Sequence, residues 1–150
     1  MTTDTVSLKA RALRLLGSRE YSRAELQNKL ARFEVEPGHL AVVLDDLQAK
    51  GLMSEQRALE SVLHNLSGKM GTARIRQELQ RKGLSFDAVS DALKTLQSTE
   101  LERARVVWEK KFKKPAADAK ETAKQVRFLA ARGFSGDAIR RVVAGFESEI

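Results

Sequence analysis

Apolar residues recur at helical spacing along the whole chain. Leu26 and Leu30 lie four apart, as do Leu40 and Leu44, with Leu47 three further on. Ile75 and Leu79 repeat the first interval, and Val89, Leu93 and Leu96 repeat the second. Stripes at i, i+4 and i+7 line one face of an α-helix and leave the rest of its surface polar. No segment alternates apolar and polar residues for long enough to predict a strand. The pattern therefore predicts an all-α chain.

The polar breaks place the helix ends. Ser22-Arg-Ala-Glu25 is a capping-box pattern, in which the serine and the glutamate each satisfy a free backbone N–H. Pro37 suits the first turn of a helix, where its missing N–H is not needed. Gly51, Gly83 and Gly133 each follow a basic residue, as glycines just beyond a helix C-terminus do. Ser54, Ser85 and Ser135 then cap the helices that follow. Pro115 comes after Lys110-Lys111-Phe112-Lys113-Lys114, so it ends one helix and opens the next. These breaks predict about nine short helices, over 6–18, 22–33, 37–50, 54–68, 71–82, 85–97, 99–113, 116–132 and 135–147.

The helices form a repeat. Leu26, Leu30, Leu40, Leu44 and Leu47 each lie 49 positions before Ile75, Leu79, Val89, Leu93 and Leu96. A further 50 positions lead to Gln125, Leu129, Ile139, Val143 and Phe146, and Gly83 leads to Gly133. Gln125 is the only polar residue in the third set, and a small register change would put Val126 in its place. Any leucine-rich helical chain matches itself somewhat, so the repeat rests on two stripes agreeing together with the break between them. It predicts three tandem three-helix, helix-turn-helix-like repeats at 1–53, 54–98 and 99–150. One such unit buries little alone and must be covered by its neighbour, which favours an elongated, curved body over a single globule.

Charge narrows the partners. Lys and Arg number 27 against 20 Asp and Glu, a net +7, so a polyanionic partner fits. Composition does not separate DNA, RNA, an anionic membrane and an acidic protein. The chain has no cysteine, which removes disulfides, thiolate metal sites and thiol catalysis. No apolar run approaches the ~18 residues of a membrane span. The N-terminus lacks the basic and apolar regions of a secretory signal, although the amphipathic, arginine-bearing stretch 8–16 shares features with a transit peptide. A cytoplasmic monomer is expected.

Three stretches carry a resemblance. They are Tyr21-Ser-Arg-Ala-Glu-Leu26 with Leu30; Gly71-Thr-Ala-Arg-Ile-Arg-Gln-Glu-Leu79 closed by Arg81-Lys82-Gly83-Leu84; and Phe128-Leu-Ala-Ala-Arg-Gly-Phe134 followed by Ile139. One per repeat and in this order, they resemble the RecX family of recombination regulators. The resemblance covers about 8–146. Two positions depart from the family pattern: Met70 stands where an aromatic is usual, and Ala58 where a phenylalanine is usual. The resemblance implies a non-catalytic modulator, chiefly an inhibitor, of the RecA recombinase. Such proteins bind the RecA filament on single-stranded DNA, typically in its helical groove. They lower its ATP hydrolysis, its strand exchange and the coprotease activity that triggers the SOS response. No cofactor is implied.

Basic side chains are the candidates for contact with DNA or with an acidic protein groove, since arginine pairs bidentately with phosphate and carboxylate alike. In the second repeat these are Lys69, Arg74, Arg76, Arg81 and Lys82, with Arg74, Glu78 and Arg81 forming one stripe. In the third they are Lys110, Lys111, Lys113, Lys114, Arg132, Arg140 and Arg141. Arg23, Lys29 and Arg32 give the first repeat a weaker face. The competing reading is a solvated face with local pairs Arg76–Gln80 and Glu78–Lys82. Trp108 and Phe112, four apart among the lysines, read as a buried stripe more readily than as a base-stacking platform. Asp45-Asp46 either pairs with a basic neighbour or faces water, and the second is expected.

Catalytic patterns are missing. The two histidines, His39 and His64, are far apart in sequence, and there is no P-loop, Gly-x-Gly-x-x-Gly or His-Glu-x-x-His. The main alternative function is a sequence-specific helix-turn-helix DNA-binding regulator, whose recognition helix would enter a major groove. Against it, the basic residues are spread over three tandem units.

Overall fold

The computed structural model describes residues 6–146, and all regular structure within them is helical. The order is α1 (Leu8–Ser18), α2 (Arg23–Leu30), a 3-10 turn (Ala31–Phe33), α3 (His39–Ala49), α4 (Glu55–Leu66), α5 (Thr72–Arg81), α6 (Phe86–Lys111), α7 (Ala119–Ala131) and α8 (Gly136–Val142). The helix starts follow the serine pattern. Ser22, Ser54, Ser85 and Ser135 each accept a hydrogen bond from the backbone N–H three residues on, and at Ser22 the Glu25 carboxylate closes the capping box.

Several boundaries differ from expectation. Helices predicted at 85–97 and 99–113 are one 26-residue helix, α6. Nothing between them breaks a helix: the Ser98 and Thr99 hydroxyls bond back to the Thr95 carbonyl within the helix rather than capping a new start. Pro37 does not open α3, which begins at His39 after a left-handed Gly38. The helix expected from 116 starts at Ala119, because Asp118 is the residue that caps it. The helix expected over 135–147 also stops early, α8 ending at Val142 because Val143 turns to extended backbone; the predicted repeat end at 150 lies outside the described residues.

Three separate cores hold the chain. The first packs Leu26, Leu30, Leu44 and Leu47 with Leu8 and Ala12. The second joins Ala58, Leu59, Ile75, Leu79 and Leu96, and the third Ala104, Val107, Leu129, Ile139 and Val143. Full burial of a leucine or isoleucine contributes about 1.5–3 kcal/mol, so each core is real but small. Ala58 is buried in spite of its missing ring. Helix α6 serves two cores, its N-terminal half the second and its C-terminal half the third. Gln125 keeps the register without any shift: it is 1% exposed and its Oε1 accepts the Trp108 indole N–H at 2.9 Å. Trp108 is thus half-buried, and Phe112 packs edge-on against Phe128.

The bundles join by one device used twice. At the first junction Gly83, just beyond α5, sits against the first turn of α2, where a Cβ on it would lie 2.5 Å from the Ala24 Cβ. At the second, Gly133, just beyond α7, sits against α5, and its Cβ would lie 2.5 Å from the Arg74 Cβ. Both glycines have positive φ, +68° and +90°, which other residues adopt only with strain. In each case the N-cap residue of one helix donates to the last carbonyl of the next: Ser22 Oγ to Lys82 O, and Gly71 N to Arg132 O. A helix C-terminus with free carbonyls meets a helix N-terminus with free donors, which satisfies both. Among the described residues no hydrogen bond or ion pair links the first bundle to the third, so the bundles form a row.

Candidate nucleic-acid interface

The structure sorts the candidate basic residues into engaged and unengaged groups. Arg23 is tied down within the first bundle, pairing with Asp45 at 2.8 Å and donating to Gln48. Lys82 bridges the first junction, its Nζ 3.0 Å from Glu25 Oε2 with both side chains largely buried. Arg19 approaches the same carboxylate at 3.0 Å. Burial works against ionisation of Glu25, but the bonds from Arg19, Ser22 and Lys82 outweigh it and hold its carboxyl below the usual range. Arg81 forks onto Glu78, with bonds of 2.6 and 3.2 Å, so Glu78 pairs with Arg81 rather than Lys82. Arg74 donates to the Ala131 carbonyl across the second junction. Arg140 and Arg141 both pair with Asp137, and Arg132 and Lys111 lie over the Phe128 ring. Asp45 and Asp46 do face water, and both also pair with basic neighbours, the latter with Lys50 and Lys9.

Among the described residues no ion pair holds Lys29, Arg32, Lys69, Arg76, Lys110, Lys113 or Lys114, and all are exposed. They are distributed over all three bundles. Lys110, Lys113 and Lys114 cluster where α6 ends. Arg76 and Arg141 come together from different bundles along a cavity of about 410 Å³ between α5 and α8. Unpaired guanidinium and ammonium groups along one row can neutralise successive anionic groups of a polymer.

Two residues that sequence reasoning missed tie the helices together here, and the first of them, Glu100, lines that cavity. Glu100, in the middle of α6, reaches two helix starts: it accepts the Thr72 N–H at 2.7 Å and the Ser135 N–H at 3.0 Å. Burial opposes its ionisation, yet the bonds from Thr72 and Ser135 prevail and keep its carboxyl below the usual range. Arg103, one turn on, donates to the carbonyls of Ser67, Met70 and Leu96 and to the Thr72 hydroxyl. No local pattern marks these residues, because all of these partners except Leu96 on the same helix lie 28 to 36 positions away.

Among the described residues no cluster of histidine and carboxylate side chains could hold a metal ion. His39 and His64 sit on α3 and α4, in different bundles. No described helix is long and apolar enough to cross a membrane, α6 included.

Comparison with known proteins gives concordant matches. Residues 9–47 match the family model described as RecX, first three-helix domain, and residues 98–143 match that of the third three-helix domain. A regulatory protein RecX of Leptothrix cholodnii is 53% identical over 138 residues, 92% of this chain and 88% of that protein. One from Ralstonia nicotianae is 44% identical over 143 residues, 95% of this chain and 90% of that protein. The crystal structure of RecX from Lactobacillus salivarius superposes with a TM-score of 0.73 at 21% identity, covering 90% of this chain and 91% of that one, which shows the same fold.

Proposed function

The chain belongs to the RecX family, and on that premise we propose that it is a non-catalytic modulator, chiefly an inhibitor, of the RecA recombinase. It binds the RecA filament on single-stranded DNA as a monomer in the cytoplasm, without a cofactor. It lowers ATP hydrolysis, strand exchange and coprotease activity. The units that dock are the repeats 1–53, 54–98 and 99–150, with the second and third sharing α6.

The observation that carries the reading is the distribution of unpaired cations over a row of bundles. Several weak contacts in line suit a regular polymer, because each adds to the next once the first has formed. A small ligand would call for one converging pocket instead. The same distribution weighs against the helix-turn-helix alternative, which concentrates its contacts on one helix in a major groove.

Sedimentation of preformed RecA filaments tests this. The chain should pellet with them saturably, and the pelleted fraction should fall steeply as salt rises. If it stays in the supernatant but binds one selected duplex far better than random ones, the duplex-reading alternative is correct.

A further inference from the structure

The repeat fails at one informative position. Gly83 and Gly133 let their helix ends press against the preceding bundle, and the residue 49 positions before Gly83 is Glu34, next to Phe33. Phe33 packs, partly buried, against the first core at this helix end. A cavity of about 500 Å³ opens there, lined by Arg11, Arg14, Lys29, Arg32 and Phe33 and by no carboxylate. Among the described residues none of these four cations has an ion-pair partner. Like charges gathered without counter-charges repel one another, so the arrangement is most stable with an anion among them.

Arg11 adds a second observation. Its guanidinium rests 3.7 Å from the Phe33 ring centroid, with Arg32 at 4.6 Å from the same ring. Its Nε is buried and has no hydrogen-bond partner. The ring holds the charge by cation–π attraction but accepts no strong hydrogen bond. This is a resting place with an unmet donor, and a small rotation toward the cavity would let an anion satisfy it. With two guanidiniums already against the Phe33 ring, the cavity offers cations rather than a vacant stacking platform. The recognisable element is therefore charge and oxygen geometry.

We propose that this cavity is a phosphodiester-binding site for single-stranded nucleic acid, independent of base sequence. Guanidinium forks match the two free oxygens of a phosphodiester. The cavity would take a short stretch of strand, with one phosphate on each of Arg11, Arg14 and Arg32 and Lys29 at its rim. Only the choice of ligand rests on the filament reading, and the site can be tested without recombinase.

The test is fluorescence anisotropy of a labelled oligothymidylate titrated with the full chain over a range of salt. Removing three phosphate contacts at about 0.7 each lowers the log–log salt slope by about 2. Arg11→Gln, Arg14→Gln and Arg32→Gln together should therefore flatten the slope by that amount, and the loss of affinity between about 50 and about 200 mM salt should become roughly tenfold smaller. Thermal unfolding of the variant checks that the first bundle remains folded. If it does not, Arg14→Gln with Lys29→Gln, both exposed and outside the core, replaces it, with an expected flattening of about 1.4. An unchanged slope in a folded variant overturns the proposal. So does displacement of the oligonucleotide by polyglutamate from the native chain as readily as by unlabelled strand, which would mark the cavity as a carboxylate site on a protein partner. Filament inhibition persisting despite either result would leave the regulatory reading in place.

Discussion

Glu100 shows what one residue does in a row of small bundles. Its two oxygens each accept a bond from a helix start in a different bundle, so one carboxylate supports α5 and α8 together. Glu100→Gln keeps the shape but presents an amide N–H₂ to a backbone donor. The expected loss is about 2 kcal/mol, near the worth of hydrogen bonds to a charged group, read from urea unfolding at neutral pH. The pH dependence has a definite sign. The folded carboxyl lies below its ordinary value, so its stabilisation is complete above the unfolded value of about 4.3 and is lost as pH falls through the folded one. Between about pH 5 and lower pH the native chain should lose stability more steeply than Glu100→Gln. Equal slopes would show that the carboxylate is not held as described. Residues of this kind were invisible in the sequence. The buried leucines announce themselves by spacing, but Glu100 and Arg103 look like any charged pair on a helix surface until distant loops are brought to them. Gln125 is the intermediate case, a polar residue at an apolar repeat position that proves to be a buried partner for Trp108.

At the scale of elements the sequence was far more readable. Serine caps, the capping box and the terminal glycines all act locally, within three or four residues, and the structure uses them as read. The break placed at 98 was an error of a specific kind. Serine and threonine favour helix starts, but inside a continuous helix they bond backward, as Ser98 and Thr99 do. What decided the matter was Glu100 and Ala104, which continue α6 directly from the second core into the third. The junction glycines lend themselves to a test. Gly133→Ala forces a side chain into a left-handed conformation and against Arg74, a cost of more than about 1 kcal/mol. The single tryptophan, Trp108, reports on the third bundle. In the native chain its fluorescence and the helical signal should unfold together in urea. In Gly133→Ala the fluorescence transition should come first, and coincident transitions in the variant would mean that the junction does not couple the bundles.

For the molecule as a whole, the repeat and the net charge of +7 were legible from residue spacing and counting. Which cations remain available was not. Arg23, Arg81 and Lys82 look like Lys29, Arg32 and Arg76 in the sequence, yet the first three are held by carboxylates and the others have no such partner among the described residues. Pairing depends on which bundles abut, and a row of bundles sets that at its junctions. The proposed regulation of a recombinase filament rests on this distribution joined to membership of the RecX family. The measurement that tests it most directly is the single-stranded-DNA-dependent ATPase of RecA, titrated with this chain below one copy per recombinase. A dose-dependent fall is expected, weakened when Lys69, Arg76 and Lys110 are changed together to alanine in a variant of unchanged helicity. ATPase that stays level across the whole titration, with the chain folded and in excess, would contradict the account.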